Sequence, residues 1–207
     1  MSDKRVVIVD YEMGNVRSVQ KSFERVGVAC ELSADPQRIL SADGVVLPGV
    51  GAFADAMDVL HKKDLVEVIR KVAARQIPLL GICLGLQLMF DYSLEKGRTE
   101  GLGIFSGACE PIRTDLKVPH MGWNELILKR DHPILEGVAN GAFTYFVHSY
   151  HVVPGEDSVV LATTDYDGER VAMVGEGPVV GIQFHPEKSS AVGLAILRNF
   201  GRMVTNR

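Results

Sequence analysis

Cys83 is the residue best placed to do chemistry. It sits in Gly81-Ile82-Cys83-Leu84-Gly85-Leu86-Gln87, between an apolar run (Pro78 to Ile82) and a stretch patterned as a helix (Leu84 to Phe90). A cysteine at a strand-to-helix junction, with glycine two residues before and two after, has the layout of a nucleophile elbow. Such a sharp turn lifts one reactive side chain above the edge of a sheet. A helix N-terminus there favours thiolate over thiol. The backbone N–H of Leu84 faces the place where a tetrahedral oxyanion would form. A thiol nucleophile also needs a base. His185 follows the apolar run Val179 to Phe184, so it leaves the end of a second buried strand, at the edge where ligands collect in open α/β sheets. Glu187 comes two residues later. In extended backbone i and i+2 share a side, so its carboxylate can hold the imidazole in one tautomer. Cys83, His185 and Glu187 then fill the nucleophile, base and orienting roles of acyl transfer. Pro48-Gly49-Val50-Gly51 ends a third apolar run, and its two glycines let a backbone N–H turn toward an oxyanion. A buried cysteine, a polar His-Pro-Glu turn and a glycine loop are each common where no chemistry occurs. Together they point to a cysteine-dependent hydrolase.

The elements that must position these residues can be read from hydrophobic spacing. Val6 to Val9 reads as a strand buried on both faces. Val16, Val19, Phe23 and Val26 recur at helical spacing until Gly27 stops them. Val28 to Leu32 and Gly44 to Leu47 are further strands. Residues 52–75 carry helical patterning, with room for a break near Asp64. This alternation predicts an α/β fold, a mostly parallel central sheet with helices on both faces. From Gly97 to Val174 the runs are short and separated by Glu136-Gly137, Pro154-Gly155 and Asp167-Gly168, which predicts antiparallel strands extending that sheet. A last strand covers Pro178 to Phe184. Ser189 or Ser190 caps a final helix through Met203, with Leu194, Leu197 and Phe200 on one face. No repeat or long linker interrupts the chain, so residues 1–207 read as a single domain.

Composition excludes several classes of function. Lys+Arg number 22 against 26 Asp+Glu, a net charge of −4, so there is no basic footprint for nucleic acid. The apolar runs fall short of the roughly 20 residues of a membrane helix. The stretch before Asp10 is too short for a signal peptide, and a cytoplasmic location is expected. Cys30, Cys83 and Cys109 are odd in number and include no Cys-x-x-Cys. This argues against a disulfide framework or a Cys-rich zinc site, and no metal or cofactor is expected.

The motifs at 81–87 (Gly-x-Cys-x-Gly-x-Gln), 48–51 (Pro-Gly-Val-Gly) and 185–189 (His-Pro-Glu-Lys-Ser) resemble those of the class I, triad-type glutamine amidotransferases, whose fold is flavodoxin-like. Four longer segments narrow the resemblance: Val9-Asp-Tyr-Glu-Met-Gly-Asn15, Pro119-His-Met-Gly-Trp-Asn124, Tyr145-Phe-Val-His-Ser-Tyr150 and Gln183-Phe-His-Pro-Glu-Lys-Ser-Ser190. They are similar to the glutaminase subunits of imidazole glycerol phosphate synthase, of histidine biosynthesis. The resemblance implies that Cys83 attacks the side-chain amide of glutamine. His185 protonates the departing ammonia and then activates water against a glutamyl thioester, while Glu187 orients His185. It also implies an oxyanion hole from Leu84 and the Gly49, Val50 and Gly51 loop, and glutamine binding by Gln87, Glu95, Ser149 and Tyr150. Ammonia would pass to a (βα)8-barrel cyclase subunit in a heterodimer, which converts PRFAR to imidazole glycerol phosphate and AICAR. Asn15, Met121, Trp123, Asn124 and Tyr145 match segments that face this partner. Two positions depart from the pattern, Glu12 for the usual Gly and Leu86 for the usual Met. If residue 12 needs a positive φ, Glu is strained there. The Gly49–Gly51 loop is expected to be mispositioned without the partner, and His120 receives no role. Triad amidotransferases serving pyridoxal phosphate, anthranilate or aminodeoxychorismate synthesis are the competing reading, along with an inactive scaffold. The Pro-His-Met-Gly-Trp-Asn segment argues against the first and the intact triad against the second.

Overall fold

A strand can bury every residue only where it is covered on both faces, and the continuous apolar runs accordingly form the centre of one sheet. The computed structural model describes residues 5–206. Residues 1–4, part of the segment screened above for a signal peptide, lie outside the described residues. The first half contains β1 (Val6–Val9), α1 (Val16–Arg25), β2 (Cys30–Ser33), α2 (Pro36–Leu40), β3 (Gly44–Gly49), α3 (Phe53–Lys62), α4 (Val66–Ala74), β4 (Leu79–Cys83) and α5 (Leu84–Leu88). There follow β5 (Phe90–Ser93), β6 (Thr99–Glu100), β7 (Phe105–Pro111), β8 (His120–Glu125), β9 (Ile127–Leu128), β10 (Phe143–His148) and β11 (Tyr150–Pro154). The chain ends with β12 (Val160–Asp165), β13 (Glu169–Glu176), β14 (Val179–Ile182) and α6 (Ser190–Thr205).

The main sheet has the order β2-β1-β3-β4-β14-β13-β12-β9. It is parallel from β2 to β14 and antiparallel beyond. Alternate residues of β1 enter opposite cores. Val7 and Val9 pack with α3 and α4, while Val6 and Ile8 pack with α1 and α6.

Three expectations need correction. Only β9, β12 and β13 extend the main sheet. The remaining strands form a separate four-stranded sheet, β11-β7-β5-β6, and a two-stranded ribbon, β10-β8. The helix expected through Phe90 ends at Leu88. Leu102 N–H donates to Leu88 O, and Ile104 and Phe105 N–H donate to Met89 O. The returning chain thus occupies the carbonyls on which another helical turn would depend. Phe90 instead starts a strand, its ring 5.8 Å from that of Phe105. Finally, Ser189 sits at the start of α6 without capping it. The helix α2 was not anticipated, although Asp35-Pro36 carries its signature. The Asp35 carboxylate accepts from Gln37 N–H at 2.8 Å, with proline in the first helical position. The break near Asp64 is present, with Asp64 at φ 56° between α3 and α4.

Candidate active site

Cys83 ends β4 with φ 54° and ψ −108°. A side chain held in that region costs roughly 1–3 kcal/mol and persists only where its surroundings dictate it. Here they do. A Cβ on Gly85 would lie 1.8 Å from Leu47 O, and one on Gly81 would lie 2.9 Å from Gly85 O. The two glycines are therefore a packing requirement, since they let the start of α5 press against β3 and β4. Because α5 is five residues long, its dipole is that of little more than one turn, less than the expected helix would supply.

β14 pairs with β4, with Ile182 beside Ile82, and this register brings His185 to Cys83. The backbone of His185 is pinned on both sides. Its N–H donates to Tyr145 O, and its carbonyl accepts from the Ser189 hydroxyl at 2.6 Å. The same hydroxyl accepts from Tyr145 N–H at 3.0 Å, which is why Ser189 does not cap α6. Glu187 reaches His185 by a different route from the one expected. Pro186 starts a 3-10 turn over Pro186–Lys188, and the turn, not an extended strand, carries Glu187 Oε1 to within 2.8 Å of His185 Nδ1. The two side chains are 4% and 3% exposed. A carboxylate only accepts, so Nδ1 carries the donated proton and Nε2 is left for chemistry.

Burial is the largest single influence on the His185 pKa and pulls it down. The contacts to Cys83 and Glu187 and the charges of both outweigh it and carry the value to about 9. Nε2 is buried and makes no hydrogen bond of ordinary geometry.

The sulfur has another neighbour that the sequence reading missed. Gln183 is fully buried and its Nε2 reaches Cys83 Sγ at 3.7 Å. Gln87 Nε2 donates to Gln183 Oε1 at 3.1 Å and to Tyr150 O at 3.0 Å. An amide in the otherwise apolar run Val179 to Phe184 was the available signal, because a buried amide must be partnered.

Cys83, His185, Gln87 and Tyr150 line one cavity of about 390 Å³, with Gln183 and Glu187 outside its lining. It brings together Val50, Gly51, Cys83, Leu84, Gln87, Glu95, Ser149, Tyr150 and His185, with His148 and Lys188 also on its wall. Gly49 lies behind the wall, where a Cβ would meet Tyr11 Oη at 2.4 Å. Glu95 is no free surface charge: its Oε2 accepts from Phe53 N–H at 2.8 Å, at the first turn of α3. Among the described residues, no group of three or more His, Cys, Asp or Glu is arranged to hold a metal ion.

The family model described as "Glutamine amidotransferase class-I" matches residues 7–204. The chain belongs to the class-I glutamine amidotransferase family. It is 50% identical over 199 residues to "Imidazole glycerol phosphate synthase subunit HisH" of Moorella thermoacetica, covering 96% of this chain and 95% of that protein. The subunit of the same name from Aquifex aeolicus is also 50% identical over 199 residues, at 96% of each chain. A solved structure of PurLQS from Thermotoga maritima shares the fold, with TM-score 0.75, 21% identity and coverage of 99% of both chains.

The residues matched to a partner face divide in this amidotransferase. On β8, Met121 and Trp123 point outward, 65% and 51% exposed, and Tyr145 of β10 meets Trp123 edge-on with centroids 5.9 Å apart. Asn15 is exposed at the start of α1, where its Oδ1 accepts from Ser18 N–H at 3.4 Å. Asn124 differs from the expectation. Strand alternation turns it inward, and its Nδ2 donates to Asp165 O at 2.8 Å. Glu12 does adopt a positive φ, 69°, and its carboxylate pairs with Lys63 Nζ at 2.8 Å.

Proposed function

We infer that this amidotransferase is the glutaminase subunit of imidazole glycerol phosphate synthase, acting in histidine biosynthesis. The observation that carries the inference is the strained Cys83 beside a His185 whose Nδ1 is held by Glu187, in a chain half identical to subunits of that name. Cys83 sulfur attacks the side-chain carbonyl carbon of glutamine. The oxyanion that forms is met by backbone N–H groups of Leu84 and of the Gly49–Gly51 loop. His185 gives its Nε2 proton to the amide nitrogen, the C–N bond breaks and ammonia leaves, with glutamate held as a thioester on Cys83. Neutral His185 then takes a proton from water, whose oxygen attacks the thioester. The C–S bond breaks, glutamate departs and the resting pair is restored. Gln87, Glu95, Ser149 and Tyr150 hold the amino-acid end of the substrate, and Gln183 holds the sulfur.

Its relatives are named as subunits, and the chain works as part of a complex. The partner in this reading is a (βα)8-barrel cyclase that covers Met121, Trp123 and Tyr145, with Asn15 at the margin. Ammonia passes to it for the conversion of PRFAR to imidazole glycerol phosphate and AICAR. The whole chain acts as one domain in the cytoplasm; the described residues include no helix long and apolar enough to cross a membrane. The test is the glutaminase rate with and without a cyclase and its nucleotide ligand. The rate is low alone and rises in the complex; a high rate that the partner leaves unchanged contradicts the coupling.

A further inference from the structure

His120 and His148 have no part in the reaction above. Both are buried, and their hydrogen bonds can be oriented from the partners alone. Tyr150 O can only accept, so His148 Nδ1, 2.8 Å away, donates to it. Neutral His148 then offers Nε2 as an acceptor, and His120 Nδ1 at 3.0 Å must be the donor. That leaves His120 Nε2 to accept from Asn124 Nδ2 at 3.3 Å. Asn124 Oδ1 already accepts from Glu125 N–H at 2.8 Å, which fixes the orientation of that amide. At the other end, Tyr150 O accepts a second bond from Gln87, the residue that also holds Gln183 against Cys83.

Donation therefore runs in one direction, from Asn124 through His120 and His148 to the Tyr150 carbonyl. The His120 ring is stacked between Phe146, with centroids 4.8 Å apart, and Tyr166, at 3.9 Å, so it cannot turn without losing both faces. Protonating either ring would set two N–H groups against one another. Burial, the largest cause for both, opposes this and pulls His120 down to about 4 and His148 to about 3.

We propose that His120 and His148 are positioning residues, a one-way hydrogen-bond relay that fixes the Tyr150 carbonyl and, through Gln87 and Gln183, the glutamine pocket around Cys83. The proposal deepens the glutaminase reading and rests on it. Asn124, at the head of the relay, lies on β8, whose outer face carries Met121 and Trp123. The strand that presents the exposed apolar face is thereby tied to the substrate pocket by four hydrogen-bonding side chains, Asn124, His120, His148 and Gln87.

The test is inactivation of the full chain by a diazo-ketone analogue of glutamine. The concentration dependence gives an inhibition constant that reads the pocket, and alkylation by iodoacetamide in parallel reads the thiol without it. Wild type saturates with the analogue. His148→Phe keeps an aromatic ring and loses both bonds; its inhibition constant rises roughly 10-fold, the order expected for a lost buried hydrogen-bonding pair. His120→Phe keeps the stack and raises the constant roughly 3-fold. His148→Asn keeps a donor near the Nδ1 position and returns the constant to within about 3-fold of wild type, a rescue that a purely space-filling role would not give. Should His148→Phe fail to fold, His120→Phe and His148→Asn decide the matter by the same criteria. A saturating wild type whose folded His120→Phe and His148→Phe variants keep its inhibition constant overturns the relay alone. So does a His148→Asn variant as impaired as His148→Phe. A wild-type rate that stays linear in analogue overturns the pocket reading and the relay with it.

Discussion

The triad and the β8–β10 ribbon stand in opposite relations to solvent. Cys83, His185 and Glu187 are sealed and held by strand register, by clashes that only glycine avoids, and by a proline-led turn. Met121, Trp123 and Phe143 stand open on a two-stranded ribbon. Large apolar side chains grouped on one exposed face mark a surface that a partner covers, whereas Cys83, His185 and Glu187 are held in place from within the chain. The buried groups around Cys83 and the exposed apolar face thus lie on separate elements. The hydrogen-bonded path from Asn124 to Gln87 joins the two.

Substitutions on the two sides of this divide should have unlike consequences. The largest effect belongs to Cys83→Ala, which lowers glutamine hydrolysis by about 10⁴-fold or more. Its melting temperature falls only by the part of the His185 stabilisation that Cys83 supplies, because the turn itself is imposed by the packing of Gly81 and Gly85; ammonia release and thermal melting check the two halves. Glu187→Gln lowers kcat by roughly 10²- to 10⁴-fold through loss of the imidazole's orientation. It also changes the pH dependence of stability. His185 has a folded pKa raised from 6.5 to about 9, so protonated His185 contributes stability that is complete below pH 6.5 and lost as pH rises through about 9. Wild type should lose melting temperature across that window, and Glu187→Gln should lose less.

Trp123→Ala tests the other side. If the proposed cyclase covers this face, the substitution weakens association with it by roughly 30-fold, as expected for an aromatic anchor, measured by titration calorimetry. Alkylation of Cys83 by iodoacetamide in the free chain keeps its wild-type rate, because Trp123 lies on the outer face of β8 and outside the path from Asn124 to Gln87; a slowed rate would contradict that. The smallest effect is expected at Glu12→Gly. Removing the side chain relieves a positive φ but loses the exposed Lys63 pair and frees the unfolded chain. The melting temperature should move by no more than about 2 °C.

The grouping of Cys83, His185 and Glu187 was legible because glycines and a proline at set offsets leave a local trace. Gln87, Glu95, Ser149 and Tyr150 came from the family resemblance alone, and the structure puts them on the same cavity as Cys83 and His185. What the sequence did not announce depends on contacts between distant segments. The end of α5 is decided by Leu102, Ile104 and Phe105 taking the carbonyls of Leu88 and Met89, and nothing within 84–90 encodes that. The inward turn of Asn124 required knowing the register of β8 against β10. Gln183 was visible as an amide in an apolar strand, and its partner, Gln87, 96 residues away, was not.

In the proposed function glutamine is cleaved through a covalent bond to Cys83. Acid-quenching the enzyme during turnover of labelled glutamine, followed by peptide mass analysis, tests it directly. One glutamyl group in thioester linkage is expected on the peptide carrying Cys83, and neither adduct nor glutamate from Cys83→Ala. Glutamate formed at the wild-type rate by Cys83→Ala, with no adduct on the wild-type peptide, would contradict it.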